Sequence, residues 1–444
     1  MRYLLSILVF LISPSLIKAQ SGDSIISRLQ LINNSITIKP CGSVDAAAIS
    51  NRAMNIFLSD KTGYLNAKSD LSYFTNYVTF NITESRLTVN HNFQKATGAD
   101  DPLKKLFSIG LSITIPNNHA LGFLDNRNET GLGIMLGYKW LGKVKTSFAD
   151  CDVSQYKASQ KQKMDALRTG IVNALAVEIT NKEADFETSL NAIDTEDVQG
   201  LNSDSVKAII KHNFYEEFNE SVEEKFATLQ AETLTETKNF KLISTHWTAI
   251  HCYVPVVFSK YSVAPSISEA FQSEKSYPFE LTINHTRLWE SSRTGRLFAT
   301  LGGGILLNNS KLSYSLDNIN YADYKIMGGT DTQHDEELKN DKAYLGDYNN
   351  YVTPSLQYRM VYFPVDYHLG ISILVQQNFG IYNFLNTRIG IPVILINSKK
   401  TPAVSFEFYV SLTDMTNKTD PAVNPVNKSM VGMSVGIPLS RLMY

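Results

Sequence analysis

The feature that most constrains this chain is an alternation of bulky apolar with small or polar residues, repeated in segments of about ten residues. Successive side chains of a strand point to opposite faces, so each segment predicts a strand with one apolar face. The clearest segments are 107–115, 132–140, 404–412 and 431–439. Weaker segments bring the prediction to about twelve strands, within about 10 to 14. They are 72–82, 85–94, 242–258, 278–289, 296–307, 352–362, 367–375 and 385–395.

The N-terminus predicts export from the cytoplasm. Residues 1–19 resemble a secretory signal peptide, with Arg2 as the positive region, an apolar stretch at 3–12 and the small Ala19 before the expected cleavage point. Ten apolar residues are too few to cross a bilayer as a helix, which needs about 20. Later apolar runs are also too short. The mature chain is therefore expected to be either a secreted β-protein or a closed barrel that crosses a membrane with strands.

Aromatic residues favour the membrane barrel over a soluble β-sandwich, which also alternates apolar and polar residues. They recur at strand ends, as in membrane barrels: Trp140, Tyr277, Phe279, Trp289, Phe298, Tyr362, Phe363, Tyr367 and Phe384. The chain ends on Tyr444, shortly after its last alternating segment. This ending resembles the terminal strand of Gram-negative outer-membrane barrels, although Ser440 and Arg441 interrupt the alternation. The resemblance covers about residues 70–444 and implies an antiparallel transmembrane β-barrel.

A helical pattern interrupts the strands between residues 155 and 235. Apolar residues fall three and four positions apart on two predicted helices: Met164, Leu167, Ile171 and Leu175 on the first, and Val206, Ile210, Phe214, Phe218, Val222, Phe226 and Leu229 on the second. Ser159 and Gln162 match a capping box, and Gly200 is the expected break between the helices. The second helix is predicted to expose a row of solvated acids: Glu216, Glu217, Glu220, Glu223 and Glu224. The pattern predicts an α-helical hairpin inserted into a mainly β chain.

The predicted organisation has five parts. They are a signal peptide (1–19), a periplasmic or plug segment (20–70), a first barrel part (71–150), the helical insertion (151–238) and a second barrel part (239–444). A helix over 44–58 is expected in the plug segment. Counting strands backwards from a periplasmic C-terminus places the insertion on the periplasmic side, with the short connections. A miscounted strand within 239–262 would reverse that assignment.

The sequence offers little catalytic or metal-binding chemistry. The eight histidines are dispersed, and His246 and His251 should point to opposite faces of one strand. Asn284, His285 and Arg287 are interpreted as a structural network facing the lumen. The acidic stretch 331–341 is expected to be a solvated loop, and the glycines at 302–304 a bend or bulge in the barrel wall. We therefore predict no catalytic, cofactor-binding or metal-binding residues.

Composition limits the classes of molecule that this chain is expected to bind. The 41 basic and 43 acidic residues nearly balance, which argues against nucleic acid. The three cysteines, Cys41, Cys151 and Cys252, are too few for a disulfide framework, although one pair could bridge. The expected partners are membrane lipid and, through the acidic face of 155–235, a basic protein.

The predicted function is an integral outer-membrane pore or transporter for small solutes. The alternative is a closed barrel that anchors its loops and helical insertion for protein partners. An outer-membrane hydrolase is a distant third, because no catalytic motif is found. About twelve strands lie between barrels filled by side chains and open channels, so size alone leaves the first two functions open.

Overall fold

The structure is a computed structural model, and it describes most of the chain. The described residues are 22–40, 47–62, 75–81, 86–93, 102–114, 131–149, 159–192, 203–257, 259–311, 316–326, 336–365, 368–381, 383–396, 402–418 and 429–441. The predicted signal peptide lies outside them. The chain divides into two compact units, one of residues 1–54 with 147–240 and the other of residues 55–146 with 241–444.

The second unit is a closed antiparallel β-barrel of twelve strands. Strand Gly131–Leu141 pairs with Leu242–Pro255, and strand Thr75–Asn81 pairs with Ser429–Arg441, so the ring has no open edge. The ring strands are β1 (Thr75–Asn81), β2 (Arg86–Phe93), β3 (Lys105–Thr114), β4 (Gly131–Leu141), β6 (Leu242–Pro255), β9 (Glu280–Ser291), β10 (Gly295–Asn309), β13 (Asn350–Phe363), β14 (Ile371–Asn378), β15 (Leu385–Ile396), β16 (Pro402–Leu412) and β17 (Ser429–Arg441). Each corresponds to one of the predicted segments, so the fold class and the number of strands are confirmed.

The two ends of the barrel differ. One end, which we call the turn end, holds the start of β1, the end of β17 and the short connections 291–295 and 396–402. The chain leaves the ring after β4 at this end, adds the short β5 (Lys145–Ser147) beside β6, and returns at β6. The opposite end, the loop end, carries the long connections 255–280 and 309–350. The helical insertion therefore begins and ends at the turn end, as the strand count predicted.

A small second sheet forms within two of the loop-end connections. Its strands, in spatial order, are β11 (Asp317–Ile326), β12 (Glu336–Leu345), β7 (Ser259–Ala264) and β8 (Gln272–Ser276). Tyr261, Val263, Leu316 and Tyr344 form its core, and the Lys311 ammonium lies 4.0 Å from the Tyr261 ring centroid. This sheet was not predicted. It also resolves the ambiguity at 239–262, because only β6 enters the barrel and β7 belongs to the small sheet.

The first unit is helical. It contains α1 (Gly22–Thr37), α3 (Gln160–Asn191), α4 (Ser203–Thr237) and the beginning of α2 (Asn51–Thr62). The predicted hairpin corresponds to α3 and α4, and the capping box at Ser159 and Gln162 is present. Of the helices that the structure describes, none is both long enough and apolar enough to span a bilayer. α1 was not predicted, and α2 begins later than the helix expected at 44–58.

The buried face of α3 differs from the prediction. Met164, Val172 and Leu175 are buried, but Leu167 is exposed and the charged Arg168 takes a buried position. Its guanidinium donates to the Asn33 side chain, the Thr37 hydroxyl and the Ala48 carbonyl, and pairs with Asp165 on its own helix. Burial lowers the pKa of Arg168, and the Asp165 carboxylate opposes that shift. A pattern of apolar residues cannot anticipate a core position that a charge fills through contacts with α1.

One of the predicted solvated acids of α4 is also buried. Glu223 forms ion pairs with Arg28 at 2.8 Å and Arg52 at 3.5 Å. Burial raises the pKa of its carboxyl group, and the two arginines oppose that shift. The expectation of a row of five solvated glutamates is therefore wrong at this position, because α1 and α2 supply cations that the α4 sequence does not reveal.

Gln160, at the start of α3, contacts both ends of the inserted segment. Its side-chain carbonyl accepts from the Ala149 backbone N–H at 2.8 Å, and its amide donates to the Phe240 carbonyl at 3.4 Å. Ala149 and Phe240 lie a few residues from the strands that precede and follow the insertion. Gln160 therefore holds the beginning and the end of the insertion together.

Candidate functional site

The barrel wall presents two chemically different faces. Outward side chains are large and apolar, and many stay exposed: Leu111 is 53% and Leu301 58% accessible. Inward neighbours are small or polar and buried, and Ser112 and Thr300 are only 1% and 4% accessible. The interior is therefore polar at many positions yet little open to solvent. This interior, from the turn end to the loop end, is the candidate functional site.

Apolar side chains fill the interior at the turn end. Each of them is at most 1% exposed: Leu106, Trp247, Leu288, Phe298 and Val361. The prediction of an aromatic girdle is wrong for Phe298 and Phe363, because both are buried at inward positions of their strands. In the same unit the last residues of α2 are also buried, including Phe57 and Leu58. Twelve strands enclose a space that inward side chains can fill only when several of them are large. At this level the barrel therefore has a packed apolar core.

The end of α2 is fixed to the turn end of the barrel. The Arg296 guanidinium donates to the Lys61 carbonyl at 2.9 Å and pairs with Glu290 at 2.6 Å. The last carbonyls of a helix have no partner within the helix, so a cation that reaches them is favourable. Residues 55–62 therefore lie at the turn end, whereas the preceding part of the predicted segment 20–70 belongs to the helical unit.

A hydrogen-bonded polar layer lies above the apolar core. Arg359 on β13 pairs with Glu407 on β16 at 3.3 Å, although β14 and β15 separate their strands, and the Ser372 hydroxyl donates to the same carboxylate. Thr286 and Thr300 bond to each other at 2.9 Å. Buried charges are costly unless they are paired and hydrogen-bonded, and these contacts meet that requirement. The layer therefore connects non-adjacent strands through the interior.

Glycine makes room for this layer. A Cβ atom at Gly302 would lie 1.7 Å from Oδ1 of Asn284, the atom that accepts from the Gln357 amide at 2.7 Å. A Cβ atom at Gly390 would lie 2.9 Å from Oε1 of Glu407. β10 pairs with β9 and β13 in unbroken register through 302–304, so the expected bend or bulge is not found there. These glycines instead leave space for inward polar side chains of neighbouring strands.

Towards the loop end, five inward residues form a continuous arc, which we call the arginine–tyrosine arc. The Arg86 guanidinium lies 5.8 Å from the Tyr253 ring centroid, and Asn81 is the strand partner of Arg86. The Tyr409 hydroxyl donates to Asn81 at 3.0 Å, and the Arg388 guanidinium lies 4.0 Å from the Tyr409 ring centroid. Arg86, Arg388 and Tyr253 are partly accessible. The arc therefore presents two cations and two aromatic rings to the part of the interior above the polar layer.

The structure places the predicted polar cluster of β9 on two faces rather than one. Asn284 is buried and faces inward, as expected, whereas His285 and Arg287 are exposed on the outward face. The interpretation of all three as a lumen network is therefore wrong for His285 and Arg287. Strand geometry alone separates them, because even-numbered positions of β9 face inward and odd-numbered positions face outward. His246 and His251 do lie on opposite faces, as predicted.

No cluster of three or more histidine, cysteine, aspartate or glutamate side chains occurs in the described part of the chain. Cys252 is a free thiol on β6, while Cys41 and Cys151 lie outside the described residues. His119, His334 and residues 331–335 of the acidic stretch also lie outside them. Residues 336–341 of that stretch form the start of β12, so the expectation of a loop is wrong for this part. The absence of catalytic and metal-binding residues stays a prediction.

Sequence reasoning missed the charged residues of the interior. Arg359, Arg388 and Glu407 each occupy a position on the small or polar face of an alternating segment. A single charge on such a face is a usable signal, because a charge on the lipid side of a membrane strand is destabilising. The pairing of Arg359 with Glu407 was not predictable, since it requires the closed ring.

Comparison with protein-family models and comparison with curated proteins each found no match. The class of this protein therefore follows from its architecture alone. It is a closed twelve-stranded antiparallel β-barrel with an apolar outer face, a hydrogen-bonded polar interior and a helical hairpin inserted between two strands. This architecture fits a barrel-type outer-membrane protein.

Proposed function

We propose that this protein is an integral barrel of a Gram-negative outer membrane, exported by its N-terminal signal peptide. The supporting observation is the exposed apolar outer face, on a ring that leaves no strand edge unpaired. A bilayer core cannot hydrogen-bond free backbone groups, so a closed ring meets the requirement for a spanning structure. The outward leucine, isoleucine and phenylalanine side chains would contact lipid acyl chains.

Within that class, the geometry supports an anchor better than an open pore. The observation that carries this proposal is the filled turn end, where five large inward side chains are at most 1% exposed: Leu106, Trp247, Leu288, Phe298 and Val361. The end of α2 adds further buried residues at the same end. An aqueous channel requires a continuous path between both ends, and packed apolar side chains oppose one. The barrel then serves to hold its helical unit and its loop-end sheet at the membrane.

The helical unit would provide the contact for a protein partner. Four of the five acids predicted to be solvated on α4 remain exposed after the burial of Glu223: Glu216, Glu217, Glu220 and Glu224. Exposed acids of this kind steer a basic partner and add little affinity by themselves. We therefore propose that the partner of the helical unit has a basic face.

A second candidate function is transport of small anionic solutes through a gated lumen. The arginine–tyrosine arc favours it, because Arg86 and Arg388 both face the interior. Transport would require the apolar core at the turn end to open. The two candidate functions thus differ in one requirement: transport needs the apolar core at the turn end to open, and anchoring does not.

Membrane integration is tested by expressing the full chain with its signal peptide in a Gram-negative host. The protein should stay with the outer-membrane fraction through a carbonate wash. It should also migrate differently on a gel before and after boiling, since closed barrels resist detergent until they are heated. Recovery as a soluble monomer would contradict the proposal.

Planar-bilayer recording separates the anchor from the transporter. The anchor predicts no stepwise current from the wild-type protein, and steps only after residues 22–62 are deleted or Phe298 is replaced by Ala. Steps from the wild type that lose anion preference in Arg388→Gln, but not in the control Lys260→Gln, would favour transport. Lys260 is exposed in the loop-end sheet and lies outside the barrel wall.

A further inference from the structure

The outer face of the barrel carries a basic cluster that neither the anchor nor the transporter uses. We call it the basic rim patch and define it by five outward or solvent-exposed residues at the turn end: Lys105 on β3, Lys145 on β5, His246 on β6, and His285 and Arg287 on β9. All five are exposed. They stand out because the remainder of the outward face is dominated by apolar side chains.

The patch begins where the apolar band ends. Strand register aligns Lys105 with Trp140, Trp140 with Thr248, and Thr248 with His285, in one row across four neighbouring strands. The next row towards the loop end is apolar throughout and consists of Phe107, Tyr138, Ile250 and Ile283. A step of two residues thus changes the outward face from apolar to basic. In a membrane barrel, this boundary is where acyl chains give way to headgroups.

Four of the five groups of the patch, all except Lys105, lie close together. The Thr248 hydroxyl is 3.0 Å from Nδ1 of His285, and the His246 and His285 ring centroids are 5.6 Å apart. Arg287 is the strand partner of His246, and the charges of both Arg287 and Lys145 act on the His246 ring. The outward positions of β3, β4, β6 and β9 that the structure describes hold no acid. In the described part of these four strands, no outward carboxylate balances the positive charge of the patch.

Two tryptophans flank the patch. Trp140 belongs to the boundary row, and the Arg287 guanidinium lies 5.0 Å from the Trp289 ring centroid. Tryptophan is enriched at headgroup depth, where an apolar ring with a polar N–H meets both acyl chain and water. Trp140 therefore marks the depth at which the outward side chains change from apolar to basic, and Trp289 lies further along β9 among the basic residues.

From this arrangement we infer that the basic rim patch binds the phosphate of an anionic glycerophospholipid headgroup in the leaflet at the turn end. Guanidinium and ammonium groups are the usual protein ligands of phosphate, and the histidine and threonine side chains offer further hydrogen bonds. The acyl chains of the same lipid would lie on the apolar rows above. This inference rests on the proposed membrane insertion.

Tryptophan fluorescence provides the test, because Trp140 and Trp289 adjoin the patch and Trp247, the third tryptophan, is buried inside the barrel. The full-length protein is reconstituted into phosphatidylcholine vesicles that contain a fixed fraction of brominated lipid, either phosphatidylglycerol or phosphatidylcholine. Brominated phosphatidylglycerol should quench more strongly. The preference should fall on the order of five-fold for each basic residue removed in Arg287→Gln and Lys145→Gln, because each is worth about 1 kcal/mol near an anionic surface. Added salt should weaken it.

The control is Lys260→Gln, which removes one exposed cation at the loop end and should leave the preference unchanged. The heat-dependent gel shift verifies that each variant is folded. Equal quenching by both brominated lipids would overturn the inference while leaving membrane insertion intact. Quenching by neither would instead contradict membrane insertion. A preference for lipopolysaccharide over phosphatidylglycerol in mixed vesicles would overturn the assignment to a glycerophospholipid.

Discussion

Replacing Gly302 by Ala tests whether the interior of the barrel is as tightly packed as the structure indicates. The added Cβ would lie 1.7 Å from Oδ1 and 2.8 Å from Cγ of Asn284, and 3.0 Å from the Ile283 carbonyl oxygen. Asn284 is 1% exposed and accepts a hydrogen bond from Gln357 at 2.7 Å. Its side chain must therefore rotate away, or β10 must shift.

Both responses cost stability. Forcing extra volume into a packed site costs about 1–3 kcal/mol, and the lost hydrogen bond costs about 0.5–1.5 kcal/mol. We therefore expect Gly302→Ala to lower the free energy of unfolding by about 2–4 kcal/mol. The measurement is urea unfolding of the reconstituted protein, followed by the fluorescence of the buried Trp247. The adjacent Gly303→Ala is the matched control, because its Cβ faces outward and contacts only the Ser355 carbonyl, at 3.2 Å. Gly303→Ala should lower the free energy of unfolding by less than about 1 kcal/mol.

A double-mutant cycle identifies the cause. In an Asn284→Ala background the obstructing side chain is absent, so adding Gly302→Ala should cost less than about 1 kcal/mol. The coupling between the two positions should then be about 1–3 kcal/mol. Equal costs of Gly302→Ala in both backgrounds would show that Asn284 is not the obstacle and would refute the argument from the inward contact.

Three further predictions concern the helical unit, and each is measured on the full chain by the ellipticity of its helices during unfolding. Arg168→Met should destabilise the unit by about 3–5 kcal/mol, because it removes one partner of a buried ion pair. Burial raises the pKa of Glu223 in the folded state above its ordinary value of 4.5, so the folded unit binds more protons between those two values. Stability should therefore fall as pH rises through that window, and Glu223→Gln should abolish this part of the pH dependence; an unchanged slope would contradict it. Gly170→Ala should stabilise α3 by about 0.5–1 kcal/mol, since no atom lies within 4 Å of the added Cβ.

Periodicity predicted the barrel well because the pleat and the closed ring impose the same rule on every strand. All twelve ring strands overlap predicted segments, including the weak ones at 72–82 and 367–375. A strand with one apolar outward face and one face towards a packed interior must alternate, so its sequence carries the signal locally. The predicted capping box at Ser159 is likewise local and is confirmed.

The sequence did not predict features that depend on distant partners. Arg168 and Glu223 break the apolar stripe and the solvated acidic row, because their partners lie on α1, on α2 or before α2. The arginine–tyrosine arc joins β15 and β16 to β1, β2 and β6 across the interior, and only ring closure brings these strands around a common interior. The loop-end sheet combines strands from two separate connections and includes a parallel pair, β12 with β7. A local sequence pattern therefore cannot predict these long-range contacts.

The contacts of Gln160 have a consequence for the order of folding. β4 and β6 are neighbours in the ring, yet the whole inserted segment separates them along the chain. Bringing such distant strands together carries an entropic cost that grows with the length of the connecting chain. The α3–α4 hairpin forms from local contacts, and Gln160 then brings Ala149 and Phe240 to the same helix end. A folded insertion thus acts as a short connection, so β4 and β6 can pair almost as readily as the strands of a hairpin. The helical unit would then lower the entropic cost of ring closure. Gln160→Ala should therefore slow barrel assembly more than it lowers the stability of the assembled barrel.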